Sequence, residues 1–219
     1  MNEIETHAKT GAGKPRRTEP KEVRRSQLIE ATINSIAKYG IAGTTMSTVT
    51  EFAGLSIGLV NFHFKSKQNL LEETLMFLAR EHHDQWRRAY EDAGLSARDK
   101  LLAIAESHFH PRICTRKKLA VWYAFFGEAG RRSVYRALVD DIDKERVALS
   151  ISLCREIAEE GQYQGPSADT IAHTLEGLYD GLWLNILIYP ETFSRDVARA
   201  KVLAYLALAF PKHFVMPQG

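Results

Sequence analysis

Apolar residues in this chain recur every three or four positions between Ser or Thr caps and Gly or Pro stops, and no stretch sustains period-two alternation. A period near 3.6 buries one face of a helix, whereas a half-buried strand needs a period of two, so the pattern restricts the chain to an all-α fold. Ile29, Ile33 and Ile36 stand at i, i+4 and i+7, and Gly40 supplies a stop. A short second helix is expected over about 47–53, turned by Gly54, and a shorter third from Ser56 as N-cap to near Phe64. Ser66 opens a fourth that reaches about Tyr90. Ser96, with Asp99 three residues on, has the capping-box spacing and opens a fifth that ends before Pro111. Thr115 and Gly130 bracket a sixth, Ser133 and Gly161 a seventh, Ser167 and Pro190 an eighth, and Ser194 and Pro211 a ninth.

The chain is 219 residues long, 45% hydrophobic and 26% charged, which suits one large or two modest domains with a real core. Residues 1–23 are polar and broken by Gly11, Gly13, Pro15 and Pro20, and read as a basic, flexible arm of the kind that can reach into a minor groove. Residues 1–67 hold ten Lys/Arg against six acids, net +4, and the remainder is net −2. A basic head on a mildly acidic body suits a duplex-binding module joined to a sensing module. Cys114 and Cys154 lack metal or disulfide-motif spacing and read as small buried hydrophobes. The N-terminus has no apolar signal-peptide core, and the longest apolar run, 202–210, is too short to span a bilayer. A cytoplasmic protein without membrane contact is expected.

Segment 44–71, TTMSTVTEFAGLSIGLVNFHFKSKQNLL, reads as two short helices about a glycine turn, which is the helix-turn-helix unit. In that unit the second helix enters the major groove. Thr45 and Ser47 carry hydroxyls suited to phosphate, and Ser56 and Ile57 open the second helix. Gly58 allows close backbone approach, while Asn61 and His63 can bond phosphates or base edges. Lys67 opposes the dipole at the start of the fourth helix, which is unfavourable unless an anion sits there.

Thr44, Thr45, Val49, Ala53, Gly54, Leu55, Ser56, Gly58, Phe62, Phe64, Ser66, Lys67, Leu70 and Leu71 together resemble the head of the TetR family. The pattern departs from the family at Thr50, Leu59, Asn61 and His63. The resemblance implies a TetR-like all-α fold of about nine helices. It divides the chain into an arm (1–23), a helix-turn-helix DNA-binding domain (24–70) and a ligand-binding, dimerising body (71–219). It also implies a homodimer on a roughly palindromic operator, released by a small-molecule inducer.

The body can be read first on its own residues. A helix apolar on all sides, as over 202–210, must be buried on all sides. A second subunit completes that burial most simply, although a monomer could bury the helix as its own central core. Gly177 and Gly181 allow close helix approach, beside a stripe of Leu175, Leu178, Leu182 and Ile186. The expected interface comprises Leu175, Gly177, Leu178 and Gly181 with Val202, Tyr205, Leu206 and Ala209. Trp122 with Phe125 and Phe126, and Tyr179 with Trp183, place rings at helical spacing, and Asp180 lies beside them. Such residues are either core or an aromatic cage with one acid, the arrangement that holds a quaternary ammonium. Segments 121–127 (VWYAFFG) and 178–185 (LYDGLWLN), with Tyr135-Arg136 and the long seventh helix, resemble the BetI-type repressors of betaine operons. That resemblance implies choline, or a relative in glycine-betaine metabolism, as the inducer.

No nucleotide-loop, nucleophile-elbow or zincin pattern is present, so neither an enzyme nor a resident cofactor is expected. His82-His83 and His108-x-His110 cannot chelate from one helix face, so no metal is expected. Arg112, Arg116, Lys117 and Lys118 form a basic cluster at a helix start, read as solvated surface. Two alternatives remain: a helical protein-interaction module without DNA binding, or a TetR-family regulator of an unrelated hydrophobic ligand.

Overall fold

The computed structural model describes residues 19–92, 94–129 and 133–217. These form α1 (Lys21–Gly43), α2 (Met46–Ala53), α3 (Ile57–His63), α4 (Lys67–Glu91), α5 (Ala97–Ser107), α6 (Arg116–Ala129), α7 (Ser133–Gly161), α8 (Ala168–Ile188) and α9 (Arg195–Ala209), with no strand among the described residues. Most expected boundaries hold to within a residue or two, because the caps are local chemistry. The hydroxyls of Ser56, Ser66, Ser96, Ser167 and Ser194 each accept the backbone N–H three residues on, at 3.1–3.3 Å. Thr45 and Thr48 cap α2 reciprocally, each hydroxyl accepting the other's backbone N–H.

Two boundaries differ. Lys21–Val23, expected in the arm, form the first turn of α1; the expected groove contact of the arm lies outside the described residues. Gly40 leaves the helical region (φ 70°, ψ 174°), yet the helix resumes after this kink and runs to Gly43.

The head packs α1 across α2 and α3 around Leu28, Ile33, Val49, Val60 and Phe64, all essentially without solvent exposure. A buried hydroxyl chain fastens the kinked end of α1 to α2. Ser35 Oγ lies 2.7 Å from Thr48 Oγ1 and 3.2 Å from Thr44 Oγ1, and Thr44 donates to Gly40 O at 2.8 Å. Gly54 ends α2 in the left-handed conformation (φ 64°), which turns the chain into α3. The expected division at residues 70 and 71 falls within α4, which passes from head to body without a break. Two further ties cross that division: Arg25 of α1 to Glu73 of α4 at 2.7 Å, and Lys117 of α6 to Glu30 and Asn34 of α1.

Candidate nucleic-acid interface and ligand cleft

The outer face of the head carries Thr45, Ser47, Ser56, Ile57, Gly58 and Asn61, all exposed. The Thr45 and Ser56 oxygens accept N–H bonds as caps, which leaves their O–H groups to donate to a phosphate. Lys67 is half-buried, and its Nζ donates to Ala42 O at 3.3 Å. The cation therefore sits where the start of α4 meets the end of α1. His63 departs from expectation. One turn after Leu59, it turns toward the start of α1 and its Nδ1 is sealed from solvent. Burial, then Lys21 and Arg25, hold its imidazole below the usual range. Phe62 takes its place on the outer face at 72% exposure, beside Ile57 at 53%. Large exposed apolar side chains there suit thymine methyls or sugars. Phe62 is not among the candidate contacts of the sequence, although its place in the aromatic cluster before Ser66 is a usable signal for one.

In the body, α4, α6, α7, α8 and the end of α5 enclose a cleft of about 290 Å³. Trp122 and Phe126, one turn apart on α6, form one wall with centroids 5.7 Å apart, and Trp183 of α8 stands 6.3 Å from Trp122. The Trp183 indole donates to His108 O at 2.8 Å, which sets its ring plane. Tyr179 also lines the cleft, but one face of its ring is stacked on His108 at 3.8 Å. Phe125 is elsewhere. It is 1% exposed and meets Tyr135 edge-to-face at 5.1 Å, because it shares a helix face with Val121 rather than with Trp122 and Phe126.

Asp180 lines the cleft and is exposed. Lost hydration on the cleft side, then the neighbouring Glu176, raise its carboxyl above the usual range, and Arg146 partly opposes this. Two further acids went unread in the sequence. Glu176 stands one turn before Asp180, and Asp143 comes from α7. Buried Arg146 holds Glu176 with two bonds of 2.6 and 3.3 Å and Asp143 with one of 2.9 Å. With three carboxylates against one guanidinium, the lining is net negative. A second cleft, of about 400 Å³, lies between α4, α5 and α9, where Arg199 pairs with Glu106 at 2.5 Å. Among the described residues no group of three or more His, Cys, Asp or Glu side chains could hold a metal ion. No helix there is long and apolar enough to cross a membrane.

The expected dimer residues divide into three sets. Gly177 and Gly181 lie on an open face where an added Cβ would meet nothing within 4 Å, and exposed Leu184 and Ile188 continue their row. Leu178, Tyr205 and Ala209 are half-buried. Leu175, Val202 and Leu206, also expected at the interface, are instead 1%, 2% and 0% exposed within this chain's own core. The apolar run of α9 has two roles by face: Ala198, Val202 and Leu206 point inward, and Val197 and Leu208 outward, the latter 70% exposed.

Residues 28–74 match the family described as bacterial regulatory proteins, tetR family, and residues 97–211 match the C-terminal domain of BetI-type transcriptional repressors. The chain belongs to the BetI-type branch of the tetR family. BetI-type proteins are ligand-regulated, DNA-binding transcriptional repressors, not enzymes. The HTH-type transcriptional regulator BetI of Paraburkholderia xenovorans is 30% identical over 188 residues, covering 86% of this chain and 94% of that one. The Burkholderia thailandensis BetI is 32% identical over the same length and shares. Among solved structures, a transcriptional regulator from Pseudomonas aeruginosa superposes with a TM-score of 0.75 at 31% identity, covering 90% of this chain and 95% of that one. A regulator from Saccharomonospora viridis, solved in complex with choline, superposes with a TM-score of 0.74 at 21% identity, covering 84% and 96%. At that identity the likeness is one of fold. The tetR family binds operator DNA and small-molecule ligands and dimerises.

Proposed function

We propose that this chain is a homodimeric repressor released from a roughly palindromic operator when a quaternary ammonium compound of the choline type enters the α4–α8 cleft. The observation that carries the reading is the aromatic wall of Trp122, Phe126 and Trp183 set beside a net-negative lining. A quaternary nitrogen offers no N–H, so it is held by ring faces and by charge, at about 0.5–2 kcal/mol per ring. The choline complex of the similarly folded Saccharomonospora viridis protein supports the reading. The charged lining weighs against an unrelated hydrophobic ligand. A regulator of this kind meets its operator in the cytoplasm.

The signal has a short physical route to the head. Helix α6 carries Trp122 and Phe126 on the cleft and, between one and three turns earlier, Lys117, which bonds Glu30 and Asn34 of α1. A shift of α6 on ligand binding moves α1 along with the α4 connection, and so changes the spacing of two heads. A coupling of about 1–3 kcal/mol lowers operator affinity roughly 5–150-fold. Titration of the protein with choline, betaine aldehyde and glycine betaine, with and without operator DNA, tests the reading. Failure of all three to bind below about millimolar concentration, or about −4 kcal/mol, defeats it.

The Gly177–Gly181 face of α8, with the outward face of α9, is the surface for the partner subunit. Gly181→Leu is expected to shift the protein toward monomer in sedimentation without lowering its helix content, because the added side chain meets open space within one chain. A dimer as tight as wild type would place the interface elsewhere. On DNA, Lys67→Ala is expected to weaken binding to all sequences alike and to flatten the salt slope by about one unit. Asn61→Ala, on the exposed face of α3, is expected to change operator preference instead. An unchanged salt slope for Lys67→Ala would remove the phosphate role of that lysine.

A further inference from the structure

We propose that His82 reads the polar end of the ligand, so that the cleft selects a quaternary ammonium alcohol over a bare tetraalkylammonium or a betaine. The inference rests on the quaternary-ammonium reading of the cleft and names the residue that would set its selectivity. His82 lines the cleft from α4 and is 6% exposed, and its Nε2 is sealed from solvent with no hydrogen-bond partner. The other two unpartnered buried side-chain atoms among the described residues, on His63 and Trp86, do not line this cleft. A buried imidazole nitrogen without a partner is costly, so a small turn of the His82 ring that brings Nε2 to the cleft is favoured when a ligand atom there can bond it.

The neighbours of His82 keep it in position and neutral. Its ring meets His108 edge-to-face at 4.5 Å and lies 5.7 Å from Trp183. Burial first, then the nearby Arg146, disfavour its charged form. His108 has no such vacancy on its Nδ1, which donates to Ile104 O at 3.0 Å. Trp183 is thus within one ring's reach of both Trp122, on the cage wall, and His82. A cation held at the wall can extend a short chain to the imidazole.

A hydroxyl is the polar group that fits either tautomer of His82, since it both donates and accepts. A carboxylate only accepts, and it would enter a lining that already holds Asp143, Glu176 and Asp180. The one guanidinium there, Arg146, is committed to Glu176 and Asp143. A tetraalkylammonium leaves Nε2 unpaired.

The test is calorimetric titration of the full chain with choline, with trimethylpropylammonium, in which a methyl replaces the hydroxyl, and with glycine betaine. Choline is expected to bind about tenfold more tightly than the propyl compound, or ~1.4 kcal/mol, and glycine betaine more weakly than choline. In His82→Phe, which keeps an aromatic ring, choline and the propyl compound are expected to bind within about twofold of each other. The comparison of ligands on the unaltered protein stands even if the variant does not fold. Equal binding of choline and the propyl compound, or tighter binding of glycine betaine, overturns the role of His82 while leaving the cation cleft intact. No binding by any of the three overturns the quaternary-ammonium reading and this inference with it.

Discussion

Acidification from about pH 7 to about pH 5.5 is expected to cost this fold roughly 2–3 kcal/mol through two buried histidines, with a slope for each that approaches about 1.4 kcal/mol per pH unit only well below pH 6.5. His82 and His108 are both held well below the usual imidazole range, chiefly by burial, with Arg146 and a histidine neighbour adding to it. In the unfolded chain both take up protons as the pH falls through about 6.5. In the folded chain they do so only at lower pH. The unfolded state therefore binds more protons over that window, and stability present at neutral pH is lost on the acid side. His63 shifts in the same direction but is half-exposed, and contributes less. For a chain of this size the loss corresponds to a fall in Tm of about 5–10 °C. Thermal unfolding across that pH range checks it, and His82→Phe should remove about half of the slope. A flat Tm between these pH values would mean that the two imidazoles titrate normally in the fold.

Trp183→Ala is expected to remove the ligand response and to destabilise the protein by about 3–5 kcal/mol. Its side chain is 4% exposed, contacts Trp122, His82 and His108, and donates to His108 O. One substitution thus opens a cavity in the body, removes part of the aromatic wall of the cleft and releases the loop after α5. Choline affinity is expected to fall at least about tenfold, from the loss of a ring contact. Operator affinity without ligand should hold at temperatures where the variant remains folded, since the ring contacts and the hydrogen bond of Trp183 all lie within the body. Trp183→Phe separates the two roles by restoring most of the volume without the N–H donor. Retention of wild-type choline affinity in Trp183→Ala would move the ligand site away from this wall.

The helices and their order were legible in the sequence because caps and stops act over three or four residues. A Ser hydroxyl that accepts the N–H three positions on needs nothing from elsewhere in the chain, and Gly54 turns left-handed on its own backbone freedom. The head was legible for a related reason. It is a short segment whose spacing of Thr, Gly, Ser and aromatic residues is itself the fold.

The direction each helix face takes was settled only in three dimensions. Phe125 and Phe126 are adjacent and chemically identical, but the packing of α6 on α7 sends the first into the core and leaves the second on the cleft. Leu206 and Leu208 divide in the same way on α9, one buried in this chain and the other left outside it. Helical periodicity says which residues share a face; what that face meets depends on elements distant in the chain. The pairing of His82 with His108, and of Arg146 with Glu176, joins residues 26 and 30 positions apart. No local spacing encodes such contacts. The chain thus carried its helices and its DNA-binding head in local chemistry, while the cleft and its unpartnered histidine exist only because separate helices converge on a shared, water-poor space.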